Sequence, residues 1–173
     1  MNKEEVLLLD WMRKIHQLEY AQCYQSLFYT TQEKWIGILS FILTTTVAFT
    51  YRFPFINYPW VKEYVLPLIA FIVAILTGYQ AFIKPGEKSE IHRKLGLEYE
   101  KLRHEIELLY LLASNQVHPE LETKTKEFKS KWDLINTLYV KECYYRKAKE
   151  KVKSFNKYPK EIDFIPDKKN NCQ

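Results

Sequence analysis

The sequence predicts an all-α protein: a two-span transmembrane helical hairpin, preceded by an N-terminal amphipathic helix and followed by a cytoplasmic αα-hairpin. Two observations carry this expectation. Although 27% of the 173 residues are charged, none lies between Trp35 and Tyr51 or between Tyr64 and Ile83. Elsewhere the apolar residues recur at alternating spacings of three and four, the period of one helix face.

The first 33 residues are expected to form a cytoplasmic or interfacial helix. Lys3 to Thr30 contains no Gly or Pro, and Leu8, Met12, Ile15 and Glu19 share a stripe with Trp11, Leu18 and Cys23 beside it. Such a helix would either lie on a membrane surface or pack against the cytoplasmic helices. Tyr20, Tyr24, Phe28 and Tyr29 gather where it would meet the interface.

Residues 34–83 form the predicted hairpin, with spans at about 35–53 and 64–83. About twenty apolar residues in a helix cover roughly 30 Å, the hydrocarbon thickness of a bilayer. The second segment meets that length. The first is shorter and carries Ser40, Thr44, Thr45 and Thr46, and it reaches through Phe53 and Phe55 if Arg52 snorkels. Trp35, Tyr51, Trp60 and Tyr64 near the segment ends fit an interfacial aromatic belt. The loop Arg52–Glu63, rich in Phe and Tyr and fixed by Pro54 and Pro59, is placed in the outer headgroup region. Pro67 falls in the first turns of the second span, where its missing donor costs little.

Basic residues set the orientation. Lys84, Lys88, Arg93, Lys94, Lys101 and Arg103 follow the second span closely, whereas the connecting loop holds only Arg52 and Lys62. The positive-inside rule therefore predicts both termini in the cytoplasm and residues 52–63 outside. The formal net charge of +5 reflects this asymmetry and the attraction of juxtamembrane lysines to anionic lipid heads. It argues poorly for nucleic acid, because no basic stripe alternates with stacking aromatics. Cys23, Cys143 and Cys172 have no paired spacing and read as free thiols in a reducing compartment. More than thirty charged and amphipathic residues before the first apolar run speak against a cleavable signal peptide.

Residues 84–155 form the predicted cytoplasmic hairpin. After the punctuation Lys84-Pro85-Gly86, a helix is expected from Glu87 to about Ser114, with Leu95, Tyr99, Leu102, Ile106, Leu109 and Ala113 as a coiled-coil-like seam. A break at 115–119 precedes a second helix from about Glu120 to Lys153, with the seam Leu121, Thr125, Phe128, Trp132, Ile135 and Tyr139. Two such helices joined by a short turn fold back on one another. The tail, 156–173, is left irregular.

Enzyme chemistry finds little support. The four glycines (Gly37, Gly78, Gly86, Gly96) are scattered and build no phosphate loop, and no Ser or Cys sits in a nucleophile elbow. His16 and Glu19 at i, i+3 could share a metal, but a surface hydrogen bond is the simpler account. The mixture of Glu98, Glu100, Glu105 and Glu107 with Lys101, Arg103 and His104 reads as alternating charge on a solvated helix. No catalytic residue, cofactor or metal is expected. The apolar segments carry no ionisable residue that would mark a proton relay or coupled transport site. Their polar groups are hydroxyls and one amide, Gln80. Ser40 and Thr44, one turn apart, are the candidate pore-lining pair, and back-bonding to the helix carbonyls is the competing account.

The run Phe82-Ile83-Lys84-Pro85-Gly86-Glu87-Lys88-Ser89-Glu90-Ile91-His92 directly after a two-span hairpin, followed by Gly96, Tyr99, Leu102 and Arg103, resembles the SLATT family over roughly Ala21 to Leu112. SLATT proteins are prokaryotic two-transmembrane effectors found beside SMODS-type nucleotidyltransferases or SLOG-type sensors. The resemblance implies an antiphage role in the bacterial inner membrane. Triggered by a nucleotide second messenger or a separate sensor or nucleotidyltransferase, such an effector would oligomerise and form a pore or disrupt the bilayer, giving abortive infection. Under that reading Tyr99, Leu102, Ile106 and Trp132 are the candidate oligomerisation residues, and the partners are the lipid bilayer and further copies of the chain. The alternative is a membrane anchor whose cytoplasmic helices recruit or regulate a soluble enzyme.

Overall fold

A computed structural model describes residues 3–52, 59–115, 121–135 and 138–159. All regular structure among them is helical: α1 Lys3–Arg52, a π-helical turn Val61–Val65, α2 Leu66–Ile83, α3 Pro85–Asn115, α4 Leu121–Ile135 and α5 Glu142–Ser154. The expectations for Phe53, Pro54 and Phe55, for most of the break at 115–119, for Cys172 and for the tail from 160 fall outside these residues.

The chain divides into two units, residues 1–26 with 91–173 and residues 27–90. The second unit includes residues on either side of the apolar segments. Thr30 Oγ1 and Ser89 Oγ share a hydrogen bond of 2.6 Å, and the Lys88 ammonium sits over the Tyr29 ring at 6.0 Å. These contacts tie residues flanking the apolar segments into the same unit as the segments.

In the first unit, the stripe read from the N-terminal residues is the face that packs. Leu8, Leu9, Met12 and Ile15 of α1 are buried with Tyr99, Leu102, Ile106 and Leu109 of α3 and Phe128 of α4. Of the two roles expected for the N-terminal helix, it takes the bundle role. Each large side chain so buried contributes roughly 1.5–3 kcal/mol. Trp11 stacks on Phe128 with ring centroids 6.2 Å apart and meets Trp132 edge-on at 5.9 Å. The αα-hairpin expected from α3 and its successor is thus a multi-helix bundle with α1 in its core.

The second helix expected after α3 is not continuous: residues 138–141 are non-helical, between α4 Leu121–Ile135 and α5 Glu142–Ser154. Tyr139, expected on the seam, lies between the two and is 80% exposed. Lys141 takes a non-helical conformation, φ −58° and ψ 136°, and its backbone N–H donates to Gln25 Oε1 of α1 at 2.9 Å. An amide of another helix thus satisfies a donor at the start of α5 that has no intrahelical partner.

In the second unit, α1 continues across Trp35–Thr50 without a break, so the separate N-terminal helix and first span of the sequence reading are one helix. Pro67 cannot donate to the carbonyl of Glu63, and the backbone meets that gap with the wider π turn at Val61–Val65. At the other end of α2, Lys84 adopts the left-handed conformation, φ 47° and ψ 59°, and its N–H returns to Gln80 O. Pro85 then opens α3, a position where a missing N–H leaves nothing unsatisfied. One helical stretch, Val61–Ala113, contains an 18-residue window long and apolar enough to cross a membrane, and only 6% of that window is buried.

Candidate functional site

The second unit presents large apolar side chains outward. Trp35, Ile38, Leu39, Phe41, Ile42 and Phe49 of α1 are exposed, and so are Leu68, Phe71, Ile72, Ile75 and Phe82 of α2. The hydroxyls among them turn back on their own helix. Thr44 Oγ1 donates to Ser40 O, Thr45 Oγ1 to Phe41 O and Thr46 Oγ1 to Ile42 O, each at 2.8 Å. Thr50 and Thr77 do the same. For the Thr44 hydroxyl, the back-bonding account is the one realised in a single chain. Ser40 Oγ differs: it is shielded from the surface and makes no hydrogen bond to a described residue. A hydroxyl so placed costs about 1–3 kcal/mol until water or a neighbouring helix supplies a partner. Ser40 and Thr44 are thus close together, but only Ser40 retains an unmet hydrogen-bonding need.

The oligomerisation candidates have a different fate. Tyr99, Leu102 and Ile106 are 2%, 3% and 0% exposed, enclosed by residues of their own chain. Trp132 is partly buried against the same core. The seam therefore meets α1 of its own chain rather than a second copy, and a homo-oligomer that keeps this core must use other residues. Spacing alone identifies an apolar face and leaves its partner open.

Polar contacts of the first unit cluster around α1. Arg103 Nε donates to Glu19 Oε2 at 2.8 Å, with both side chains about 15% exposed, and Arg103 Nη1 meets Glu107 Oε1 at 3.1 Å. Lys157 Nζ reaches the same Glu107 oxygen at 2.7 Å. Burial outweighs Arg103 at Glu19 and lifts its carboxyl above the usual range. At Arg103 burial works against the charge, but the hydrogen bond and field of Glu19, then Glu107, overcome it and raise the pKa. Burial is likewise overcome at Glu107, which Lys157 and then Arg103 hold below the ordinary value. The solvated-helix reading of this charged cluster holds for exposed positions such as Glu105 and His104. It fails for Arg103, whose turn of α3 faces α1.

His16 and Glu19 do not act as a pair. His16 is 7% exposed, and its Nδ1 shares a hydrogen bond of 3.1 Å with Tyr158 Oη while Phe155 stacks on the ring at 5.7 Å. Among the described residues, no group of three or more His, Cys, Asp or Glu could hold a metal. Further along α1, Gln22 bonds His92 within the buried layer, and Tyr145 Oη donates to Gln17 Oε1 at 3.3 Å. This row of amides was not singled out in the sequence, although Gln17, Gln22 and Gln25 interrupt the apolar face at helical spacing. Cys23 and Cys143 are free thiols, as their spacing predicts.

Burial, with smaller contributions from Arg103 and Lys157, lowers the His16 pKa from 6.5 to about 4. An unfolded chain binds a proton between those values while the folded one does not. Stability from this residue is therefore complete above about pH 6.5 and is lost as the pH falls toward 4, by up to about 3 kcal/mol. Glu19 acts with the opposite sign within the carboxylate range, so the His16 contribution is clearest from about pH 5 to 6.5. Denaturant titrations of the full chain should show a falling midpoint over that interval, and His16→Gln should flatten it. An unchanged slope in the variant would assign the pH dependence elsewhere.

No protein-family model, curated protein or solved structure matches this chain.

Proposed function

We propose that the chain is a two-span membrane effector, with Trp35–Tyr51 and Tyr64–Ile83 crossing the bilayer and both termini in the cytoplasm. One observation carries the reading: the 27–90 unit exposes phenylalanine, isoleucine, leucine and tryptophan side chains over two charge-free helical segments, whereas the other unit encloses a core of Leu8, Ile15, Tyr99, Leu102, Ile106 and Phe128. A soluble surface rarely exposes a contiguous apolar patch of more than a few hundred Å², and a bilayer removes the cost of doing so. The back-bonded threonines support the same environment, because in hydrocarbon every polar group needs a partner within the protein.

On this reading the protein acts in a bacterial inner membrane as a SLATT-like effector of antiphage defence. A nucleotide signal or a partner protein shifts the packing of the cytoplasmic helices, copies of the chain associate, and a pore or local bilayer defect ends the infected cell's growth. The unpartnered Ser40 hydroxyl favours association through the spans, where a second helix or a water-filled lumen would complete its hydrogen bonding. A conformational change of this kind needs only differential affinity of the trigger for the two packings.

The test is expression in bacteria, with and without the neighbouring genes, while a dye reports membrane potential. Depolarisation that requires both the apolar hairpin and the trigger is the expected result. An intact potential with correctly inserted protein would favour the second reading, an anchor whose cytoplasmic bundle holds a soluble enzyme. Within the effector reading, Ser40→Ala and Thr44→Leu should each reduce ion flux in reconstituted vesicles without preventing assembly. Unchanged flux in both would remove this face from the lumen.

A further inference from the structure

We propose that α5 and the residues just before it form a peripheral docking surface for anionic lipid headgroups. Tyr144, Lys147, Lys151 and Phe155 recur at spacings of three and four, so they share one side of α5, beside its buried Ala148 and Val152. Lys147 Nζ lies over the Tyr144 ring at 6.0 Å, and Lys151 Nζ over the Phe155 ring at 5.2 Å. Both lysines are exposed, and among the described residues neither ammonium pairs with a carboxylate. Arg146, Lys149 and Lys153 have interactions of their own within the chain, and the surface does not depend on them.

Charge complementarity points to an anionic occupant. Residues 141–157 hold seven Lys or Arg against two Glu, while residues 158–173 hold three Lys against three Asp or Glu. Lys157 pairs with Glu107, and the stretch remains strongly basic. The field around Lys147 and Lys151 therefore has one sign, and an anionic surface meets it without displacing an ion pair of either lysine.

The aromatic rings favour lipid over nucleic acid. Single-stranded bases need open ring faces on which to stack. Phe155 is instead stacked on His16 at 5.7 Å, tilted against Tyr20 at 5.8 Å, and carries the Lys151 ammonium over its ring. Rings held along a helix beside lysine ammoniums suit the headgroup level of a bilayer, where the apolar body of a side chain is covered and its charge stays in water.

The junction before α5 supplies the apolar contact. Leu138 is 41% and Tyr139 80% exposed, on the non-helical residues 138–141. With Leu18, Val140 and Tyr145 they line an open cavity of about 290 Å³, with the Glu142 carboxylate at its edge. That space takes the upper part of an acyl chain. All of these residues belong to the packed unit, so the surface does not rest on the membrane reading. A tether through the spans would only raise its effective concentration at the bilayer.

The experiment places the full-length protein in nanodiscs of phosphatidylcholine alone or mixed with phosphatidylglycerol. A bimane on Cys143, in a Cys23→Ser/Cys172→Ser background, reports quenching by a lipid with a nitroxide on its headgroup. Stronger quenching in the phosphatidylglycerol discs is expected, reversed by high salt and lost in Lys147→Gln/Lys151→Gln. Each lysine near an anionic surface strengthens binding roughly fivefold, so the double variant should weaken docking by roughly twentyfold to thirtyfold. Both lysines are exposed, so the variant should fold, which its circular dichroism would verify. Equal quenching in the two kinds of disc, or in variant and parent, would overturn the proposal. Saturable binding of polyuridylate through the same two lysines, without lipid quenching, would also overturn it and give the face to nucleic acid. A chain that does not enter discs overturns the two-span reading instead. Sedimentation with phosphatidylglycerol vesicles then reads the same surface, and equal sedimentation of variant and parent would refute it.

Discussion

Replacing Arg103 with alanine is expected to lower the unfolding free energy by about 2–3 kcal/mol, since the pair is partly buried and so lies between an exposed pair and a fully buried one. The loss would not measure the strength of the pair. It would reflect Glu19 left charged among buried neighbours, with Glu107 and Lys157 deprived of their third member. The matching double replacement, Glu19→Met with Arg103→Met, is therefore expected to recover most of the deficit, because two apolar side chains of similar length remove the desolvation cost altogether. Urea denaturation of the full chain would measure all three values. A double variant as unstable as Arg103→Ala would mean that the pair contributes through geometry the methionines cannot supply.

The second large effect concerns the apolar unit. Phe71 is 64% exposed, and at such a position in a soluble protein a substitution usually changes stability by less than about 0.5 kcal/mol. In the middle of a membrane span the same Phe71→Arg change should disfavour insertion by about 3 kcal/mol or more. Fractionation of cells after alkaline carbonate extraction distinguishes these outcomes. A variant that leaves the membrane fraction, while Phe71→Leu remains in it, supports a lipid-facing α2. Equal membrane retention of the arginine variant would place that face against protein or water.

Much of the helical content is legible from local pattern. The seam from Leu95 to Leu109 is buried where its spacing places it, and Lys84-Pro85-Gly86 does separate two helices. The break at 138–141 escaped because propensity there is weak in either direction, and Gln25 on a distant helix meets the N–H of Lys141. The inward turn of Arg103 escaped for a similar reason. Charge pattern along one helix cannot say which face another helix will cover.

The sequence by itself determined that this chain is helical, that one long stretch is apolar enough to cross a membrane, and which face of α3 and of the first turns of α1 is buried. Those properties depend on period and composition, which act over a few turns. Only the tertiary structure decided what covers each face: that α1 occupies the seam of α3, that Glu19 meets Arg103, and that Phe155 stacks on His16. The reason is separation along the chain. Positions 19 and 103, or 16 and 155, are joined by packing energies distributed over the whole bundle, and no local spacing encodes them.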